Sequence, residues 1–208
     1  MKKIRSYLLF TSLPFRVGVM LILPVFLFFV TWIFIDPNLV NIVKTTIFVM
    51  AEVFLDFWVF GGICTKDFHG IEYLKSSIKG KEILRCALIL DVFRKLIWMV
   101  LVAAGTYLYF PIFGVKNPAP INWISFIAMI LFGHGTVMLG NLLERYAPSY
   151  AIAMLISYGA AVMMIIGYLL CYTEPIFMLV ISFGCSLGFS WLSVWKVMRK
   201  VEGSYYDE

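Results

Sequence analysis

At 208 residues, 62% of them apolar and only 14% charged, the chain is not an ordinary soluble domain, in which about a quarter of residues carry charge. Its mean hydropathy of +0.93 comes from apolar blocks about twenty residues long, the length that crosses a ~30 Å hydrocarbon layer as helix, and no separate soluble domain fits in what remains. Ten-residue alternating segments are missing, which excludes a transmembrane β-barrel, and the net charge of +5 is explained by membrane orientation rather than by a nucleic-acid partner. The expected fold is all-α: a single polytopic membrane domain over residues 1–208 with six transmembrane helices.

The chain opens on "MKKIRSYLLFTSLPFR", in which Ile4, Tyr7 and Leu8 share one helical face with cations around them. Such a segment predicts an interfacial helix over residues 1–14, its apolar face among acyl chains and its cations at phosphates. Pro14 separates it from span 1, Val17–Ile35. The basic start followed by an apolar run resembles a secretory signal. No A-x-A cleavage site follows, however, and the run is of span length, so an uncleaved anchor is expected.

After the turn "DPNL", span 2 covers Val40–Ile63 and contains Lys44, Glu52 and Asp56. Glu52 and Asp56 stand one turn apart on one face. An ionised carboxylate facing lipid costs at least ~2.5–3.5 kcal/mol, so both should face protein or water, within reach of Arg94 or Lys95 on the next helix. Two readings stay open: a polar wall or proton site of a substrate pathway, or a structural ion pair fastening spans 2 and 3.

Between spans 2 and 3 lies "HGIEYLKSSIKGKEILR". Ile71, Leu74 and Ile78 form an i, i+3, i+7 stripe that predicts a short helix over residues 70–80, with Lys75 and Lys79 on its polar side. A free helix of about ten residues is marginal in water and needs a surface, whether bilayer, the protein's own helix ends or a soluble partner. Next, Lys81 to Phe110 contains no proline and no glycine before Gly105, so it predicts one helix of ~45 Å, longer than the hydrocarbon layer. Its first half carries Asp91, Arg94 and Lys95, with Asp91 and Lys95 spaced to pair.

Span 3 is read as Leu96–Phe113, span 4 as Ile121–Leu142, span 5 as Tyr150–Tyr172 and span 6 as Ile176–Val194. His134 stands between Gly133 and Gly135 in span 4, where it either titrates during a cycle or bonds a neighbouring helix. In span 6, Gly184 and Gly188 form a GxxxG pair suited to close helix packing. Ser182, Ser186, Ser190 and Ser193 follow one face there, each expected to bond its own i−4 carbonyl unless it lines a wet pathway. The four cysteines show neither a disulfide framework nor zinc-ligand spacing, and Cys64 with His69 is too isolated for a metal site.

With the N-terminus inside, fifteen of the seventeen lysines and arginines fall on the cytoplasmic side, leaving Lys44 and Lys116. That bias sets both termini cytoplasmic.

Six spans, the interfacial N-terminal helix and "GIEYLKSSIKGKEILRCALILDVFRK" between spans 2 and 3 resemble the permease subunits of bacterial ABC-2-type ABC transporters. The resemblance covers the whole chain in topology and residues 60–95 in sequence. The connection "CYTEP" between spans 5 and 6 leaves no room for the extracellular segment of larger members. The resemblance implies that residues 70–80 are a coupling helix docking on an ABC ATPase subunit through Ile71, Leu74, Lys75, Ile78 and Lys79. It also implies a second permease subunit, identical or not, in the bacterial cytoplasmic membrane. ATP and Mg would be bound by the partner; this chain has no GxxxxGK[ST] loop and is expected to bind no cofactor. The implied function is export of an amphipathic or peptide-like substrate. No HExxH motif supports an intramembrane enzyme. An ion-coupled secondary transporter and a non-transporting scaffold or immunity protein remain the alternatives.

Overall fold

A computed structural model describes residues 10–11, 13–33, 37–61, 63–64, 79–112 and 122–203, and every regular element among them is helical. The predicted interfacial helix over 1–14 and coupling helix over 70–80 lie almost entirely outside the described residues; of the latter, Lys79 is an exposed turn residue and Gly80 begins a helix.

Helix α1, Leu13–Val17, passes through a π-helical turn, Gly18–Ile22, into α2, Leu23–Ile33. The turn has a local cause. Pro24 has no N–H to offer, and the preceding Leu23 N–H reaches back five residues to the Gly18 carbonyl. α3 is Pro37–Phe60 and α4 is Gly80–Ile112, a 33-residue helix about 50 Å long. α5, Trp123–Glu144, is capped by Asn122, whose side chain accepts from the Ile124 and Ser125 N–H groups. α6 is Tyr150–Thr173, and α7, Pro175–Gly203, begins on a proline whose missing N–H would have no helical partner in any case.

α5, α6 and α7 are each long and apolar enough to cross a membrane. α3 and α4, of 24 and 33 residues, are also long enough but carry charged residues along their length. Exposure is inverted relative to a soluble protein. Leu155 and Val180 are 70% and 69% exposed, while Lys95 and Arg145 are 1% and 2% exposed. Apolar residues outside and satisfied charges inside are what a hydrocarbon solvent selects, so the architecture is that of a helical membrane protein.

α5 is the central helix, packing most extensively on α7 and also against α3, α4 and α6. Small residues permit this. A Cβ at Gly135 would lie 3.2 Å from the Ser186 backbone nitrogen of α7, and one at Gly140 would collide with Val53 of α3 at 2.6 Å. The GxxxG pair behaves otherwise: no described atom lies within 4 Å of a Cβ added at Gly184 or Gly188. The expected close packing on those two residues is therefore not made among the described residues, because α7 turns its Ser182–Ser186–Ser193 side inward instead.

Two apolar clusters fill the interior. The larger includes Phe48, Val49, Val53, Met99, Ala103, Met138, Met164 and Met178, the smaller Phe60, Ile63, Leu84, Leu88, Val197 and Val201. Along α3, Asp56 falls between Val53 of the first cluster and Phe60 of the second. Along α4, Asp91 and Lys95 fall between Leu88 and Met99. A charged layer thus divides the core.

Candidate functional site

The layer is built by spacing. Glu52 and Asp56 sit at i, i+4 on α3, while Asp91, Arg94 and Lys95 sit within a helical turn on α4, so two pairs of side chains meet across one helix interface. Arg94 clamps Glu52 with two parallel bonds, Nη1 to Oε1 at 2.8 Å and Nη2 to Oε2 at 2.6 Å. Its Nη2 also donates to Asp91 Oδ1 at 3.1 Å. Lys95 Nζ donates to Asp56 Oδ1 at 2.7 Å and to Asp91 Oδ2.

A third cation joins from the end of α5. Arg145 Nε donates to Asp56 Oδ2 at 3.0 Å and Nη2 to Asp56 Oδ1 at 3.3 Å, with Asp91 Oδ2 at 3.6 Å. Its Nη1 donates to the hydroxyl and the carbonyl of Ser193 on α7, and its guanidinium lies 5.0 Å from the centroid of the Phe60 ring. Burial works against the Arg145 charge, but Asp56 and Asp91 outweigh it and push its pKa above the usual value. The surroundings of Asn141, one turn earlier, assign its amide nitrogen to the Val137 carbonyl, 3.2 Å away, and its oxygen to Lys95 Nζ, the orientation that satisfies both ends. The Arg145 carbonyl accepts from the Cys64 N–H at 3.0 Å, which ties the chain after α3 to the same point.

Charges balance. Glu52, Asp56 and Asp91 face Arg94, Lys95 and Arg145, three against three, and four helices are held by the one network. Glu144 stands apart. It is fully buried, its Oε1 accepts from the Ser157 hydroxyl of α6 at 3.3 Å, and its Oε2 has no hydrogen-bond partner. No cation pairs with it among the described residues.

His134 lies on the neighbouring level. Its Nε2 is 3.2 Å from the Val92 carbonyl, which can only accept, so Nε2 carries the hydrogen and Nδ1 accepts from the Ser186 hydroxyl at 2.8 Å. Both ring nitrogens are satisfied, and the ring ties α5 to α4 and α7. The serine stripe departs from the expected back-bonding. Only Ser190 bonds its own i−4 carbonyl, at 2.6 Å; Ser186 serves His134 and Ser193 serves Arg145.

The structure therefore brings Glu52, Asp56, Asp91, Arg94 and Lys95 into one network and places His134 beside it. Ile71, Leu74, Lys75 and Ile78 lie outside the described residues. Lys79 stands at the foot of α4, where its carbonyl accepts from the Ile83 N–H at 3.0 Å. Arg145 is the network residue that sequence reading did not single out. It counts toward the basic loops by position, yet it is 2% exposed and completes the network. The available signal was the pair Glu144–Arg145 set directly on the end of an apolar span. No group of histidine, cysteine and carboxylate side chains suited to a metal occurs among the described residues, and Cys64, Cys86, Cys171 and Cys185 are all free thiols. No family model matches the sequence, and neither a curated protein nor a solved structure matches it.

Proposed function

We propose that this chain is the permease subunit of an ABC-2-type exporter, with six spans and both termini cytoplasmic in a bacterial membrane. The observation that carries the reading is the position of the ion-pair layer on α4. That helix starts at Gly80, directly after the basic amphipathic segment, holds α3 through Arg94 and Lys95, and meets through Asp91 the Arg145 guanidinium that carries the network on to α7. A push on the segment would be delivered by a rigid helix into the one layer that joins the bundle. Packed, bistable interfaces of this type convert a small displacement into a rearrangement. ATP would be hydrolysed by a separate subunit dimer, each half engaging one permease, and the cargo would be amphipathic or peptide-like.

Co-purification tests it. The chain should carry a soluble ATPase from native membranes, and Leu74→Asp with Ile78→Asp should release that ATPase while leaving the permease folded. Recovery of a folded permease with no ATPase bound to the unmutated chain would count against the assignment.

One observation favours a second reading, ion-coupled secondary transport: Glu144, a buried carboxyl outside the balanced set. Under that reading, transport into vesicles lacking ATP is driven by an ion gradient and is lost in Glu144→Gln. A scaffold or immunity role would show neither ATPase binding nor transport.

A further inference from the structure

Away from the ion-pair layer, α3 carries a buried cation. Lys44 is 5% exposed, lies twelve residues before Asp56, and makes no hydrogen bond or ion pair among the described residues. It lines a pocket of about 160 Å³ whose other walls are Leu27 and Phe28 of α2 and Trp98, Leu101 and Gly105 of α4. No carboxylate lines this pocket among the described residues. An ammonium held in apolar surroundings without a counter-charge is costly, several kcal/mol before any relaxation. In the ion-pair layer the chain meets that cost for Arg94, Lys95 and Arg145 with carboxylate partners. At Lys44 it supplies a cavity instead.

We propose that this pocket binds the anionic headgroup of an amphiphile, with Lys44 as the counter-charge and the Phe28–Trp98–Leu101 wall against the first carbons of its chain. A carboxylate or a phosphate meets the requirement equally, since either offers an acceptor to the ammonium and is followed by apolar chain. Gly105 has a part in this. A Cβ there would meet nothing within 4 Å, so the glycine leaves the wall open rather than serving a helix contact. The binding site does not depend on how transport is driven, so it stands or falls separately from the ATPase reading; if that reading holds, the pocket names the cargo class as anionic amphiphiles.

Trp98 in the wall is the reporter. The purified chain, in neutral maltoside detergent, is titrated with bromine-labelled dodecanoate, dodecyl phosphate or dodecanol, and quenching of tryptophan emission is read together with the unfolding midpoint. A labelled phosphatidylglycerol is run in parallel to separate a membrane lipid from a free amphiphile as the source. Both anions should quench and raise the midpoint, the alcohol should do so at least tenfold more weakly, and Trp98→Phe should remove the quenching. Lys44→Met should weaken the anions at least tenfold and leave the alcohol unchanged, Lys44→Arg should retain binding, and Gly105→Leu should close the pocket to all three. Without ligand, Lys44→Met should unfold at a higher temperature than the unmutated chain, because an unpaired charge has been replaced by a side chain of similar length. Equal binding of anion and alcohol, undiminished anion binding in Lys44→Met, or a lower midpoint of Lys44→Met in the absence of ligand would each overturn the proposal.

Discussion

Glu52 and Glu144 are both fully buried glutamates, but their surroundings demand opposite outcomes from the same substitution. Glu52→Gln removes the charge from the bidentate clamp on Arg94 and unbalances the layer by one buried cation, a loss of about 3–5 kcal/mol of stability. Glu144→Gln replaces a buried carboxyl that pairs with no cation among the described residues and keeps the shape, so stability should change by less than about 1 kcal/mol or rise. Denaturation of both variants in mixed micelles checks the contrast; equal losses would mean that Glu144 has a cation partner after all. Cys64 gives a pH test outside the spans. Burial pushes its thiol above the ordinary value, while Tyr146 and Arg145 pull the other way without prevailing. Thiolate is the reactive form, so alkylation of Cys64 in the folded protein should be slow at pH 8 and rise as pH passes above the ordinary thiol value of about 8.5. Unfolding in dodecyl sulfate should restore labelling of all four cysteines. Rapid labelling of folded Cys64 at pH 8 would show that the loop bearing it opens.

Helix elements differ in what their glycines do, and the difference is measurable. Gly135 lets the α5 backbone touch α7 beside the His134–Ser186 hydrogen bond, so Gly135→Val forces the two backbones apart and should cost at least about 2 kcal/mol. Gly184→Ala and Gly188→Ala meet open space and, within a helix, should gain up to about 1 kcal/mol each from propensity alone. Thermal unfolding of the purified chain separates the two sets. Should the Gly184 and Gly188 changes also destabilise, no described residue of the same chain accounts for it, and the result points to a contact with a second copy across the exposed face of α7. Sequence reading found the glycine patterns in both spans but not which was used. GxxxG spacing defines a face, whereas the partner of that face is decided by where the inward-pointing polar groups must go. On α7 the serines that serve His134 and Arg145 fix the rotation, and the glycines follow outward.

At the scale of the whole molecule, two apolar clusters separated by a balanced charged layer make a bundle that is tied at one level and free to rearrange on either side. Weakening the layer should therefore couple distant parts. If α4 transmits force, Arg145→Met, which leaves α5 and α7 without their shared cation, should reduce transport-linked ATP hydrolysis more than it reduces ATPase binding; equal losses would assign Arg145 to assembly alone. Much of this was legible in the chain itself. Block length and hydropathy determine helices and a membrane setting, because hydrocarbon leaves no other way to satisfy a backbone. The i, i+4 spacing of Glu52 with Asp56 and of Asp91 with Lys95 determines that acids and bases lie on inward faces, because lipid penalises any other rotation. Tertiary structure alone decided that Arg145 turns back from a loop position into the core, that Glu144 is left outside the charge balance, and that Lys44 opens on a cavity. Those outcomes depend on which helices come side by side, a matter of packing between residues up to a hundred positions apart, and local sequence carries no record of it.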